Sequence, residues 1–224
     1  MAEFIDFEIL TGEKNMQKDL NLFEEACTNS YKEPILRFYG WKPACVSLGR
    51  NQKIETINQK YCIDNHIDIT RRITGGRALL HQDELTYSFI CSTEFLENEN
   101  VQKSYEIISS ALIKGFKKLG IEVSFGVKKP DVRYNYCMLL STGADLNYQN
   151  KKIVGSAQYR AKGYILQHGS ILYSINKTHI KNIFNEDLGE KLITLNEILP
   201  EIKNKDLISA LKKGFEEKFN VKFM

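Results

Sequence analysis

The chain has 224 residues, 42% of them apolar and 26% charged, with a formal net charge of only +3. That length supports one large domain with its own core, expected to span residues 1–224. The charge is too small to point to nucleic acid, Met1-Ala-Glu-Phe-Ile-Asp lacks the basic start and apolar run of a secretory signal, and no stretch reaches the ~20 apolar residues of a membrane helix. A cytoplasmic protein with neither a nucleic-acid nor a membrane partner is expected.

In chain order, Ile5 to Leu10 reads as a first strand. Asp19 to Thr28 follows as a helix with Leu22, Phe23 and Ala26 on one side. Ile35 to Tyr39 and Ala44 to Leu48 look like two strands turning around Gly40 and Pro43. Ile69 to Arg72, Arg77 to Leu80 and Leu85 to Cys91 supply three more strands, with Thr74-Gly75-Gly76 as a turn between the first two. The clearest helix carries Tyr105, Ile108, Leu112, Phe116 and Leu119 at three- and four-residue steps and stops at Gly120. Strands are then expected at Glu122 to Phe125, Asp145 to Tyr148, Lys152 to Ala157 and Ile165 to Tyr173, and a closing amphipathic helix at Asp206 to Phe219. The class is α+β, a mixed sheet flanked by helices.

Cys27, Cys45, Cys62, Cys91 and Cys137 are odd in number and widely spaced, with no C-x-x-C pair and no His at ligand spacing. Disulfide frameworks and zinc are therefore not expected, and no metal site is assigned. Each cysteine reads first as a small buried hydrophobe, and as a nucleophile only where its neighbours argue for it.

Two segments concentrate chemistry. In Arg71-Arg72-Ile-Thr-Gly75-Gly76-Arg77-Ala78-Leu-Leu-His81, followed by Glu84-Leu-Thr-Tyr-Ser, adjacent glycines let backbone approach a ligand, and three arginines beside them suit carboxylate or phosphate oxygens. The alternative is a tight hairpin with solvated arginines. Neither a P-loop nor G-x-G-x-x-G is present. In Lys152-Ile-Val-Gly155-Ser156-Ala157-Gln, followed by His168-Gly-Ser, small residues leave room for a flat or chain-like ligand, with Lys152 directed at it. A surface strand-end charge is the alternative for Lys152. His168 reads equally as a base or as a hydrogen-bonded structural group.

Together with Asp19-Leu-Asn-Leu-Phe-Glu-Glu-Ala and Trp41-Lys-Pro-Ala-Cys-Val-Ser47-Leu-Gly49-Arg-Asn-Gln52, these blocks resemble the biotin/lipoate protein ligase superfamily, which includes lipoate ligases and octanoyltransferases. The resemblance implies the α+β catalytic fold shared with biotin ligases and class II tRNA synthetases. It also implies a substrate site drawn from Arg71, Arg72, Gly75, Gly76, Arg77, Ala78, His81, Gly155, Ser156, Ala157 and His168.

Within the superfamily, a ligase activates a free acid with ATP and Mg, whereas an octanoyltransferase exchanges a thioester and needs a thiolate. Cys137, in Tyr134-Asn-Tyr-Cys137-Met-Leu-Leu-Ser-Thr-Gly-Ala-Asp145, resembles the acyl-accepting cysteine of one octanoyltransferase branch, with Lys152 as its positive neighbour. Arg77 also resembles the transferase form, since ligases commonly have a third glycine there. The resemblance thus implies Cys137 and Lys152 as catalytic residues, octanoyl-acyl carrier protein as donor and no cofactor. The acceptor it implies is a lipoyl-accepting protein, either the glycine cleavage H protein or a dehydrogenase lipoyl domain. Asp145 resembles the aspartate of an Asn-Asp pair in ligases, so this segment leaves an ATP-dependent lipoate-protein ligase as the alternative.

Overall fold

A computed structural model describes residues 2–126, 135–139, 145–187 and 191–224. Part of the segment quoted around Cys137, Tyr134 and Leu140 to Ala144, lies outside these residues.

β1 (Glu3–Leu10) leads directly into α1 (Gly12–Thr28), which Thr11 caps by accepting the Lys14 N–H. The helix starts at Gly12 rather than at Asp19. Its inward positions are Gly12, Asn15, Asp19, Phe23 and Ala26, so its first half carries a buried stripe that is polar and escapes a search for apolar periodicity.

Seven strands form one mixed sheet in the order β1-β2-β6-β10-β9-β8-β7. They are β1, β2 (Ile35–Trp41), β6 (Glu84–Ser92), β7 (Ser124–Phe125), β8 (Leu146–Tyr148), β9 (Lys151–Ala161) and β10 (Tyr164–Leu172). Only β1 and β2 pair in parallel; the others are antiparallel. A second sheet places β3 (Cys45–Leu48) between β4 (Asp68–Arg71) and β5 (Leu79–His81).

Two local expectations change. Gly40 lies within β2, and the strands on either side of Pro43 belong to different sheets, so that turn carries the chain from one layer to the other. The Gly75-Gly76 turn does not close a hairpin, because β4 and β5 each pair with β3 and not with one another.

On one face of the large sheet, Leu36 and Phe38 from β2, Leu85, Tyr87 and Phe89 from β6, and Ile165 and Ile171 from β10 are buried beneath α3 (Val101–Lys118) and α6 (Asn204–Phe219). Ile108, Leu112 and Phe116 meet Leu207, Leu211 and Phe215 there, and this core supplies the main apolar burial. Gly120 ends α3 with φ +72°, as its position requires.

Three short helices were not anticipated: α2 (Gln59–Asp64), α4 (Lys177–Phe184) and α5 (Leu195–Ile198). Each spans too few residues for a periodic pattern, but each has a cap: Asn58, Asn176, and the reciprocal Thr194–Glu197 box. Among the described residues, no helix is long and apolar enough to cross a membrane.

Candidate active site

Strand alternation makes the site. The even positions of β6 and β10 and the odd ones of β2 face away from the α3–α6 layer, toward α1 and the small sheet. Among them are Arg37, Tyr39 and Trp41, then Glu84, Thr86 and Ser88, then His168 and Ser170, all buried. This face is as enclosed as the core behind it but lined with polar groups, so every group needs a partner.

Arg72 is the hub. Its Nε donates to Thr74 Oγ1 at 3.1 Å, Nη1 to the Ser47 carbonyl at 2.9 Å and to Ser47 Oγ at 3.1 Å, and Nη2 to the carbonyls of Gly75 at 2.8 Å and Arg77 at 2.6 Å. A guanidinium has five N–H donors, and here each has an acceptor. Burial works against its charge and pulls its pKa down.

The two hydroxyls that accept from Arg72 each reach a histidine: Ser47 Oγ lies 2.7 Å from His81 Nε2, and Thr74 Oγ1 lies 2.8 Å from His168 Nε2. The groups at the other ring nitrogens decide the tautomer: a carboxylate only accepts, so Nδ1 carries the proton in both rings and, in the neutral imidazole, Nε2 accepts from the hydroxyl. Both Nδ1 atoms face carboxylates, His81 to Glu84 at 2.7 Å and His168 to Asp19 at 3.3 Å. His81 also stacks on Trp41, with ring centroids 3.8 Å apart.

The carboxylates are fixed in turn. Glu84 Oε1 accepts from Thr86 at 2.6 Å and Ser170 at 2.7 Å. Asp19 pairs with Arg37 at 2.8 Å and accepts from Tyr39 at 2.8 Å. Burial raises the Asp19 pKa, but the His168 hydrogen bond and the Arg37 charge outweigh it and hold the carboxyl below its usual range. Burial also pushes the His168 pKa down, against the opposing pull of Asp19. Most groups of the web are paired internally, Arg37 Nε, Glu84 Oε2 and Ser88 Oγ being buried atoms that lack a hydrogen-bond partner among the described residues, and it turns mainly carbon toward the cavity it encloses.

Cys137 opens a one-turn 3-10 helix, Cys137–Leu139, on the other side of that cavity. Its N–H donates to the Ala78 carbonyl at 2.8 Å, tying the turn to the strand that follows the two glycines. Tyr136 anchors it from below, stacked on Phe184 with centroids 4.9 Å apart, and Glu186 accepts the N–H groups of Asn135 and Tyr136. Gly76, at φ +93°, fits between the two walls. A Cβ there would lie 3.0 Å from Arg72 Nη2 and 3.9 Å from Cys137 Sγ. The Gly76 carbonyl in turn leaves no room for a side chain at Gly49, where a Cβ would come within 2.0 Å.

Lys152 arrives from β9. Its Nζ forms an ion pair with Asp145 at 2.9 Å and donates to the Cys137 carbonyl at 3.3 Å, both side chains being at most 4% exposed. It crosses Gly155, where a Cβ would meet Lys152 Cε at 3.1 Å and Met138 Sδ at 2.7 Å. A bulkier residue at Gly155 would therefore displace Lys152.

The structure brings Arg72, His81, Cys137, Gly155, Ser156, Ala157 and His168 to one cavity. Lys152 and Ala78 meet the backbone of Cys137 behind it. Arg71 lies apart: its Nη1 donates to the carbonyls of Gly49, Arg50 and Gln52 and clasps that loop. Gly75 and the Arg77 side chain are exposed at the turn. The anion-accepting turn expected from three arginines is thus corrected in part. The Arg72 donors are committed, and Arg71 serves backbone carbonyls.

Four contributors lay outside the sequence-based site. Met16 and Trp41 line the cavity, Asp19 holds His168, and Asp145 holds Lys152. For Asp19, a signal existed in its four-residue step from Asn15, which continues the buried stripe of Phe23 and Ala26.

Residues 12–216 match the family model of the lipoyl protein ligase A/B catalytic domain. The chain is 36% identical over 231 residues to octanoyltransferase LipM of Clostridioides difficile, covering 95% of this chain and 85% of that protein. It is 32% identical over 245 residues to octanoyltransferase LipM of Halalkalibacterium halodurans, covering 98% and 87%. A crystal structure of lipoate-protein ligase A bound with ATP superposes with a TM-score of 0.80 at 22% identity, covering 100% of this chain and 87% of that one, and shares the fold.

Proposed function

This chain belongs to the lipoyl protein ligase A/B catalytic-domain family and is an acyltransferase, and we propose that it carries an octanoyl group through a Cys137 thioester to a lysine of a lipoyl-accepting protein. The observation that carries the reading is the meeting of Cys137 with Lys152, whose ammonium holds the Cys137 carbonyl while paired to Asp145. The donor is octanoyl-acyl carrier protein. The acceptor is a lipoyl domain or the glycine cleavage H protein.

In the first half-reaction the Cys137 thiolate attacks the donor carbonyl, forming the Cys137 thioester and releasing the pantetheine thiol, whose proton Lys152 supplies. In the second, the acceptor amine attacks that thioester, an amide forms, Lys152 takes the amine proton and Cys137 leaves as thiolate.

The tetrahedral oxyanion needs donors aimed at it. The carbonyls of Gly75 and Arg77 point to Arg72, and that of Gly76 to Gly49. In planar trans peptides the N–H groups of Gly76 and Ala78 then point away from Arg72, and these are the donors proposed for the oxyanion. The donor acyl group is already activated as a thioester, so the proposed chemistry uses no nucleotide and no metal. Burying the octanoyl methylenes, about six at roughly 0.8 kcal/mol each, supplies a gross ~5 kcal/mol of binding.

Intact-mass analysis after incubation with octanoyl-loaded acyl carrier protein tests this. A gain of one octanoyl group, released by hydroxylamine and missing in Cys137→Ser, is expected. ATP-dependent attachment of free lipoate that survives Cys137→Ser would replace this reading with that of a ligase.

A further inference from the structure

The cavity beside Cys137 is too small for the chain it is proposed to hold. It offers about 30 Å³ of open space, whereas a six-carbon guest such as benzene fills an apolar cavity of ~150 Å³. An eight-carbon chain enters only if a wall gives way, and the walls differ in what holds them.

Trp41 donates to Thr86 at 2.7 Å and stacks on His81, and Tyr39 donates to Asp19 at 2.8 Å. Ser47, Arg72, His81 and His168 are locked into one web. Gly155, Ser156, Ala157, Gly169 and Ser170 sit within paired strands. Met138 is buried against Gly155, and Leu79 is fixed in β5.

Met16 differs from all of these. It lies on α1 at a half-buried position and packs by carbon and sulfur contact against the cluster of Tyr39, Trp41 and Cys45. With three rotatable bonds, no hydrogen bond to break and one side toward solvent, it moves at the least cost. It also belongs to a different packing cluster from the one Cys137 joins, which sets it apart from the reacting thiol.

We propose that Met16 is the movable wall of the acyl pocket and sets the longest chain the enzyme accepts. This rests on the octanoyl-transfer reading given above. A chain thioester-linked to Cys137 extends along Gly155 and the Trp41 face until it meets Met16, which swings outward by enough for eight carbons. A smaller residue there admits more carbons, and a larger, stiffer one admits fewer.

The test measures formation of the Cys137 acyl adduct from hexanoyl-, octanoyl- and decanoyl-loaded acyl carrier protein, by intact mass, in wild type, Met16→Ala and Met16→Phe. Each further methylene buried is worth about fourfold. The decanoyl-to-octanoyl ratio is therefore expected to rise on the order of tenfold in Met16→Ala, and the hexanoyl-to-octanoyl ratio to rise in Met16→Phe. Met16→Phe retains bulk, so it decides the question even where Met16→Ala melts early. Unchanged ratios, or a shift of both variants in the same direction, overturn the assignment of Met16 while leaving acyl transfer intact. Absence of any adduct in wild type overturns the acyl-transfer reading and this inference with it.

Discussion

The two sides of the pocket are built on opposite principles. One is a closed hydrogen-bonded web centred on Arg72, in which all five guanidinium donors are used and two histidines are each held between a hydroxyl and a carboxylate. The other holds the groups proposed to react, the Cys137 thiol and the Lys152–Asp145 pair, while Met16 packs by carbon and sulfur contact at the edge of the web, outside its hydrogen bonds. The first keeps geometry while the second reacts. Substitutions in the web should therefore cost stability, and substitutions opposite it should change chemistry or specificity.

Arg72→Lys should break the web with the largest effect. Five donors become three, leaving at least two buried acceptors unpaired at about 1–3 kcal/mol each. A loss on the order of 4 kcal/mol in urea unfolding is expected; a loss below ~1 kcal/mol would mean the web adds little.

Next comes Asp145→Asn, which leaves the buried Lys152 ammonium beside a neutral amide. A destabilisation of about 3 kcal/mol is expected, and unlike Arg72→Lys it should also change the pH–rate profile of acyl transfer. A profile identical to wild type would place Asp145 in the structure alone.

Met16→Ala sharpens the contrast from the other direction. Truncating a half-buried side chain costs about 1 kcal/mol, yet the chain-length preference should move by the ratio given above.

The smallest effect concerns pH. The His168 pKa is lowered by burial, so the unfolded chain, with its imidazole near 6.5, binds a proton that the folded chain does not. Folding stability should fall as pH drops below about 6.5. Tm measured between pH 7.5 and 5.5 should decline in wild type and flatten in His168→Gln. Equal slopes would remove His168 as the cause.

Most elements were legible from the sequence because apolar spacing marks them, as in α3, α6, β6 and β10. The early half of α1 was not, since the positions it buries are Asn15 and Asp19, and a polar inward stripe is silent to a search for apolar ones. The split of β2 and β3 between sheets was also hidden, because alternation along a strand does not say which strand it pairs with.

At the site, the residue types were readable but their partners were not. Arg71 and Arg72 stand side by side in the sequence, yet one clasps an outer loop while the other fills the centre of the web. Adjacent residues in extended chain point to opposite sides, and only tertiary packing decides which side is buried. Asp145 was read only as resembling the aspartate of an Asn-Asp pair in ligases, and its ion pair with Lys152 follows from the β8–β9 hairpin that brings them together.

The central claim, that Cys137 carries the acyl group, has one direct measurement. Wild-type protein mixed with octanoyl-loaded acyl carrier protein and then digested should yield the peptide containing Cys137 heavier by one octanoyl group. That mass should disappear when a lipoyl-accepting protein is added and gains the same group on its lysine. Acceptor octanoylation at full rate with Cys137 unmodified throughout, or octanoylation sustained by Cys137→Ser, would contradict it.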